Sequence, residues 1–138
     1  MPHAYSEGQL VEQPAIQLFA ELGWSTVSAM DETLGPTGTL RRETTSDVVL
    51  DDRLRATLTR LNPALPVDAI DAAVAELTRN RGAMTSVAAN REVWTLLRDG
   101  VSVQVPDREH GGERDERVRV IDWDVPAAND FLLVSQLT

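Results

Sequence analysis

The sequence predicts a mixed α/β (α+β) protein, helical over most of its first two thirds and stranded over its last third. Three observations carry this. Apolar residues recur every three or four positions from about residue 47 to 98, and the spacing changes to two after Gly100. Phe131–Val134 is then a continuous apolar run. The chain's 138 residues are one domain's worth, so a single domain over 1–138 is expected.

Residues 7–23 read as one helix or two helical pieces. Val11, Ala15, Leu18, Phe19 and Leu22 keep helical spacing, and Gly23 supplies a stop. Pro14 belongs in the first turn of the second piece, because proline fits there and damages a helix interior. Trp24–Met30 has the composition of a short strand. The two glycines, one proline and four threonines of residues 31–44 predict a surface loop. From Asp47 to Leu61 the residues Leu50, Leu54, Leu58 and Leu61 form one stripe, with Asp51, Asp52, Arg53, Arg55 and Arg60 on the wet side. A second helix follows Pro66 on Ile70, Val74 and Leu77. A third begins at the N-cap candidates Thr85 and Ser86, carries Val93, Trp94 and Leu97, and stops at Gly100. Val101, Val103 and Val105 alternate with polar residues, 106–117 reads as a turn, and Val118, Val120 and Ile121 or Trp123 resume the pattern. The stretch 101–124 is therefore expected to be an antiparallel hairpin. Phe131–Val134 is expected as a strand buried on both faces. Lying so near Thr138, it suggests a domain interrupted rather than completed.

Composition excludes whole classes of chemistry. Without cysteine there is no disulfide framework, thiolate zinc site or cysteine nucleophile. All 13 basic residues are arginine. A P-loop, which needs a lysine on the phosphates, cannot be written here; Schiff-base chemistry and a lysine-dependent nuclease site are likewise excluded. The net charge of -9 disfavours unaided binding to DNA, where phosphate contacts dominate affinity. No apolar run has the length of a membrane span, and the first residues lack a signal-peptide layout, so a cytoplasmic protein is the default.

Few residues invite a site. His3 and His110 have no second ligand at metal-binding spacing and read as solvated. Asp122 and Asp124 would share a strand face around Trp123 and could converge on a divalent ion. A strand end turning into solvent before Pro126 accounts for them more simply. Glu12 opens an otherwise apolar helical stretch, where a carboxylate suits the helix dipole. The arginines of the 47–61 helix could touch phosphate, but they are interleaved with Asp51 and Asp52, as on a charged outer face. No G-x-S-x-G elbow is present.

Four segments, in order, resemble the N-terminal nuclease region of the R (motor/endonuclease) subunit of type I restriction enzymes. They are VEQPAIQLFAELGW (11–24), LDDRLRATLTRLNPALP (50–66), NREVWTLLRDGVSV (90–103) and VIDWDVPAANDFLLVSQLT (120–138). The resemblance implies a truncated restriction-endonuclease-like core of the PD-(D/E)xK type, with an N-terminal helix, C-terminal strands and a three-helix insertion at about 47–98. It also implies a parent that cleaves double-stranded DNA with Mg2+, consumes ATP in translocation, and joins methyltransferase and specificity subunits. Glu12 matches the acid of the family's first helix, the one catalytic candidate carried over. The metal-binding Asp and the Glu-x-Lys motif are expected beyond Thr138, and Asp122 and Asp124 are not promoted into those roles. Asn129, Asp130 and Gln136 sit in family-like positions without an assigned role. The chain alone is thus expected to hold no complete metal site, to bind no cofactor tightly and to be inactive. The alternative is a non-enzymatic module that binds other restriction-modification subunits through the 47–98 helices. A small independent DNA-binding protein is the third possibility, against which the charge argues.

Overall fold

The computed structural model describes residues 6–137. They fall into two compact units, one containing the chain up to Val48 together with the stretch from Asp130 onward, the other Val49–Asn129.

In the first unit a π-helical turn, Gly8–Glu12, runs directly into helix α1, Gln13–Glu21. Pro14 lies in the first turn of α1, as its missing N–H and fixed φ favour. The amide of Gln13 reaches back five residues to Gly8 O, so the junction is π-widened where two ordinary helical pieces were expected. The end of α1 is a Schellman motif: Trp24 N donates to Phe19 O (2.9 Å) and Gly23 N to Ala20 O (3.0 Å), with Gly23 at φ +92. The apolar contact that accompanies this motif is the Phe19–Trp24 ring pair, 4.7 Å apart. Trp24 also stacks on Phe131 at 4.8 Å.

Strand β1 (Ser25–Ser28) and strand β4 (Leu132–Ser135) are parallel, with Ser25 opposite Leu132 and Ser28 opposite Ser135. The aromatic column therefore ties α1 to the entry of both strands. The strand expected at Phe131–Val134 begins one residue later. Its residues are half-buried, which corrects the expectation of burial on both faces.

The loop that follows β1 holds a buried ion pair that its composition does not announce. Residues 31–44 form the expected loop and most are exposed, but Leu40 and Arg42 within it are buried. Arg42 donates through Nε to Glu32 Oε2 (2.9 Å) and pairs through Nη2 with Glu32 Oε1. Its Nη1 donates to the carbonyls of Thr45 and Asp47, each at 3.1 Å. A guanidinium buried with this many acceptors is an organising centre.

The second unit contains helices α2 (Asp51–Leu61), α3 (Val67–Leu77) and α4 (Ser86–Asp99), and the antiparallel hairpin β2–β3 (Val101–Pro106, Glu113–Val118). Helix α2 begins at Asp51, not Asp47, because the Asp47 carboxylate accepts from the upstream amides of Glu43 and Thr44 (3.0 and 3.1 Å). Thr85 caps α4 by accepting from Ala88 N. The core joins Leu58, Ala69, Ile70, Ala73 and Val74 to Val101, Val103, Val105 and Val118. The three helices are thus completed by the hairpin, whose valines supply the face against which α2 and α3 pack.

Strand β3 starts at Glu113, inside the stretch read as a turn, and ends at Val118 rather than continuing to Trp123. Asn62 explains the ending. Its Oδ1 accepts from Arg119 N and its Nδ2 donates to Arg119 O, both at 2.8 Å. A side chain thereby takes the backbone groups that a longer ladder would use.

Candidate functional site

Glu12 stands where the π-helical turn meets α1, half-buried. Its carboxylate receives Nε2 of Gln136 at 2.8 Å on Oε1 and 2.9 Å on Oε2. Gln136 follows β4 directly and has φ +58. The acid of the first helix is therefore held beside the C-terminal end of a parallel strand. In open α/β sheets, ligands gather at the carboxyl ends of parallel strands. A single carboxylate suits a hard cation or an attacking water, but it is not a complete site. Among the described residues, no group of three or more His, Cys, Asp or Glu side chains could hold a metal ion.

The pair Asp122 and Asp124 is not on a strand, correcting the shared-face geometry considered above. Asp122 Oδ1 accepts from the amides of Val125 (2.9 Å) and Asp124 (3.0 Å), and Oδ2 pairs with Arg119 (3.2 Å). The Val125 amide foremost, then those of Asp124 and the Arg119 guanidinium, hold the Asp122 carboxyl below its ordinary range. Its lone pairs organise a turn. Asn129 closes the same turn: its Oδ1 accepts from Asp122 N (2.7 Å), and its Nδ2 donates to Asp122 O (2.9 Å) and Pro126 O (3.0 Å).

His110 is exposed in the hairpin turn, with Nδ1 3.3 Å from Asp107 Oδ2. His3 lies outside the described residues. On α2, Arg55 pairs with Asp51 (2.9 Å) and with Asp71, while Arg60 donates to Ala128 O (2.7 Å). Both guanidiniums are occupied within the unit, in keeping with a charged outer face.

Sequence reasoning missed two features. Gln136 carried no signal as a partner for Glu12, because the two are 124 residues apart. The Arg42–Glu32 pair was hidden in a segment whose composition reads as loop. Trp94, expected on the apolar stripe of its helix, and Trp123, expected on a strand, instead form an edge-on pair 6.1 Å apart, each about half exposed. Trp123 also lines an open groove of about 550 Å³ with Leu61, Leu65, Leu97, Ile121 and Arg117.

The model of the family described as the type I restriction enzyme R protein N terminus matches residues 4–138. The endonuclease subunit of the HindI type I restriction enzyme from Haemophilus influenzae (strain Rd) is 33% identical over 127 residues. That alignment covers 92% of this chain and 12% of the relative's length. No solved structure gives a significant match.

Proposed function

This chain belongs to the family of type I restriction enzyme R protein N termini, and from that premise we propose a division of labour between its residues and the rest of the subunit. The chain is an N-terminal region of an R subunit. The proposed parent is a cytoplasmic, ATP-dependent, DNA-cleaving subunit that acts with methyltransferase and specificity subunits and uses Mg2+. In this reading residues 1–138 form the leading part of a restriction-endonuclease-like domain. They contribute scaffold and one acid, Glu12, while the metal-binding Asp and the Glu-x-Lys motif come from elsewhere in the subunit.

One observation carries the reading of Glu12: its carboxylate is fixed beside the C-terminal end of β4 by Gln136. Oxygen ligands of this kind suit Mg2+, which retains several waters and needs few protein carboxylates. The described residues hold no converging set of acids, and no lysine occurs in the 138 residues to steady charge on a scissile phosphate. The residues present do not fit a metal site by themselves, so no step through a metal is assigned to them. What this chain supplies is an oriented carboxylate at the end of the π-helical turn before α1. The test is Glu12→Gln in the whole R subunit, assembled with its partners. Cleavage of target DNA is expected to be lost while DNA-stimulated ATP hydrolysis continues; unchanged cleavage would overturn the assignment.

A second reading, an interaction module for other subunits of the system, draws on the half-exposed Trp94–Trp123 pair and the groove that Trp123 lines. Tryptophan and arginine are the residues most often found at binding hot spots. Here Trp123→Ala is expected to abolish co-purification with methyltransferase and specificity subunits, and retention of the complex would remove this reading.

A further inference from the structure

We propose that Gln136 is a positioning residue for the Glu12 carboxylate, an inference that rests on the reading of Glu12 as an acid of the cleavage site. Nothing in the sequence near either residue links them, and the link is made entirely by the fold. The π-widened junction before Pro14 fixes one end of the contact. The other end is fixed by β4, whose last residue, Ser135, accepts from Ala29 N at 2.8 Å. Gln136 then takes a left-handed backbone, φ +58, which side-chain-bearing residues adopt at a cost and which collects at functional positions.

The contact differs from the carboxylates that pair with arginine in this chain, and from Asp47 and Asp122, whose neutral donors are backbone amides a few residues away. Glu32 is paired with Arg42, Asp71 with Arg55, and Glu92 with Arg79 and Arg81. In each, a guanidinium cancels the charge it orients. Gln136 instead offers a neutral amide nitrogen to both oxygens of Glu12, at 2.8 and 2.9 Å. A neutral donor sets the plane of a carboxylate and leaves its full charge available to a cation or to the proton of an attacking water. The donor reaches Glu12 from a side chain 124 residues away and takes both of its oxygens. The geometry points to orientation without neutralisation.

The test combines a spectroscopic and a kinetic arm. In the 15N-labelled chain, the side-chain amide resonance of Gln136 is expected to shift on Glu12→Gln, reporting the contact directly. In the whole R subunit, assembled with its partners, Gln136→Leu removes the donor, whereas Gln136→Lys keeps a donor but adds a cation. Both are expected to slow cleavage by about 10- to 100-fold, the range seen when the outer hydrogen-bond partner of a metal-ligating group is removed, with ATP hydrolysis unchanged. Combining Gln136→Leu with Glu12→Gln should add little to the loss from Glu12→Gln alone. A purely structural tie would be satisfied by lysine. If Glu12→Gln abolishes cleavage and Gln136→Lys cleaves like the wild type, the positioning role is overturned and Glu12 stands. An unshifted Gln136 resonance would overturn the positioning role as well. Unchanged cleavage in Glu12→Gln would overturn the reading of Glu12 itself.

Discussion

Gly100 separates α4 from β2, and replacing it with alanine exposes two separable penalties. Its φ is +84 and its ψ is 174, a region used almost only by glycine, where strain is about 1–3 kcal/mol. A Cβ at this position would lie 2.7 Å from Val118 O and 3.1 Å from Arg117 Cγ. Val118 O is backbone, and Val118 is the register partner of Val101. Relieving the overlap therefore moves a pair of fully buried valines, which resembles overpacking a core at about 1–3 kcal/mol. The gain from restricting the unfolded chain is only about 0.4–1 kcal/mol. The expected net loss for Gly100→Ala is thus roughly 1–6 kcal/mol. Gly111, in the hairpin turn, is the internal control. It has φ +77 but nothing within 4 Å of its would-be Cβ, so only strain of about 1–2 kcal/mol remains, less the same gain. Urea unfolding followed by far-UV circular dichroism separates the two variants, because midpoints move in proportion to stability when the slope is unchanged. Equal losses for the two would refute the steric part of the argument.

Other perturbations test different parts of the account. Leu58 is fully buried in the core of α2, α3 and the hairpin, so Leu58→Ala should lower stability by about 2–5 kcal/mol in the same urea titration. Arg42, through its hydrogen bond above all, holds the Glu32 carboxyl below its ordinary value of 4.5. A lowered folded-state value gives stability that is present above pH 4.5 and is lost as pH falls through the lower folded value. In Arg42→Met, Glu32 should contribute none of that acid-dependent loss, and the variant should be less stable than wild type at neutral pH in thermal melts taken from pH 7 to 3. Asp122→Asn keeps the Oδ1 that accepts from Val125 and Asp124, so it should destabilise less than Asp122→Ala. Cleavage by the whole subunit should survive Asp122→Asn; its loss would return Asp122 to the candidate site.

The parts of the fold governed by local periodicity were legible in the sequence. Gly23 and Gly100 ended helices where expected, Thr85 capped α4, and Val101, Val103 and Val105 faced inward together, since each depends on residues only a few positions apart. The hairpin's second strand was misjudged for a long-range reason: Asn62 reaches Arg119 and ends the ladder, a competitor that a period-two pattern cannot register. Residues 31–44 are a loop as their composition predicts, but loop composition reports turn-forming tendency and says nothing about a buried guanidinium gathering carbonyls around it. The parallel pairing of β1 with β4 was hidden in the same way, with more than a hundred residues between the strands. At the candidate site, Glu12 could be singled out as an acid in an apolar stretch, whereas its partner could be found only in three dimensions.

In the proposed function these 138 residues carry the scaffold and one oriented acid of an R-subunit nuclease, and the set that cuts comes from elsewhere in the subunit. The most direct test is incubation of the purified chain with supercoiled plasmid and Mg2+, followed by electrophoresis. No conversion to nicked or linear DNA above a buffer control is expected. Reproducible Mg2+-dependent nicking that copurifies with the chain would contradict the proposed function.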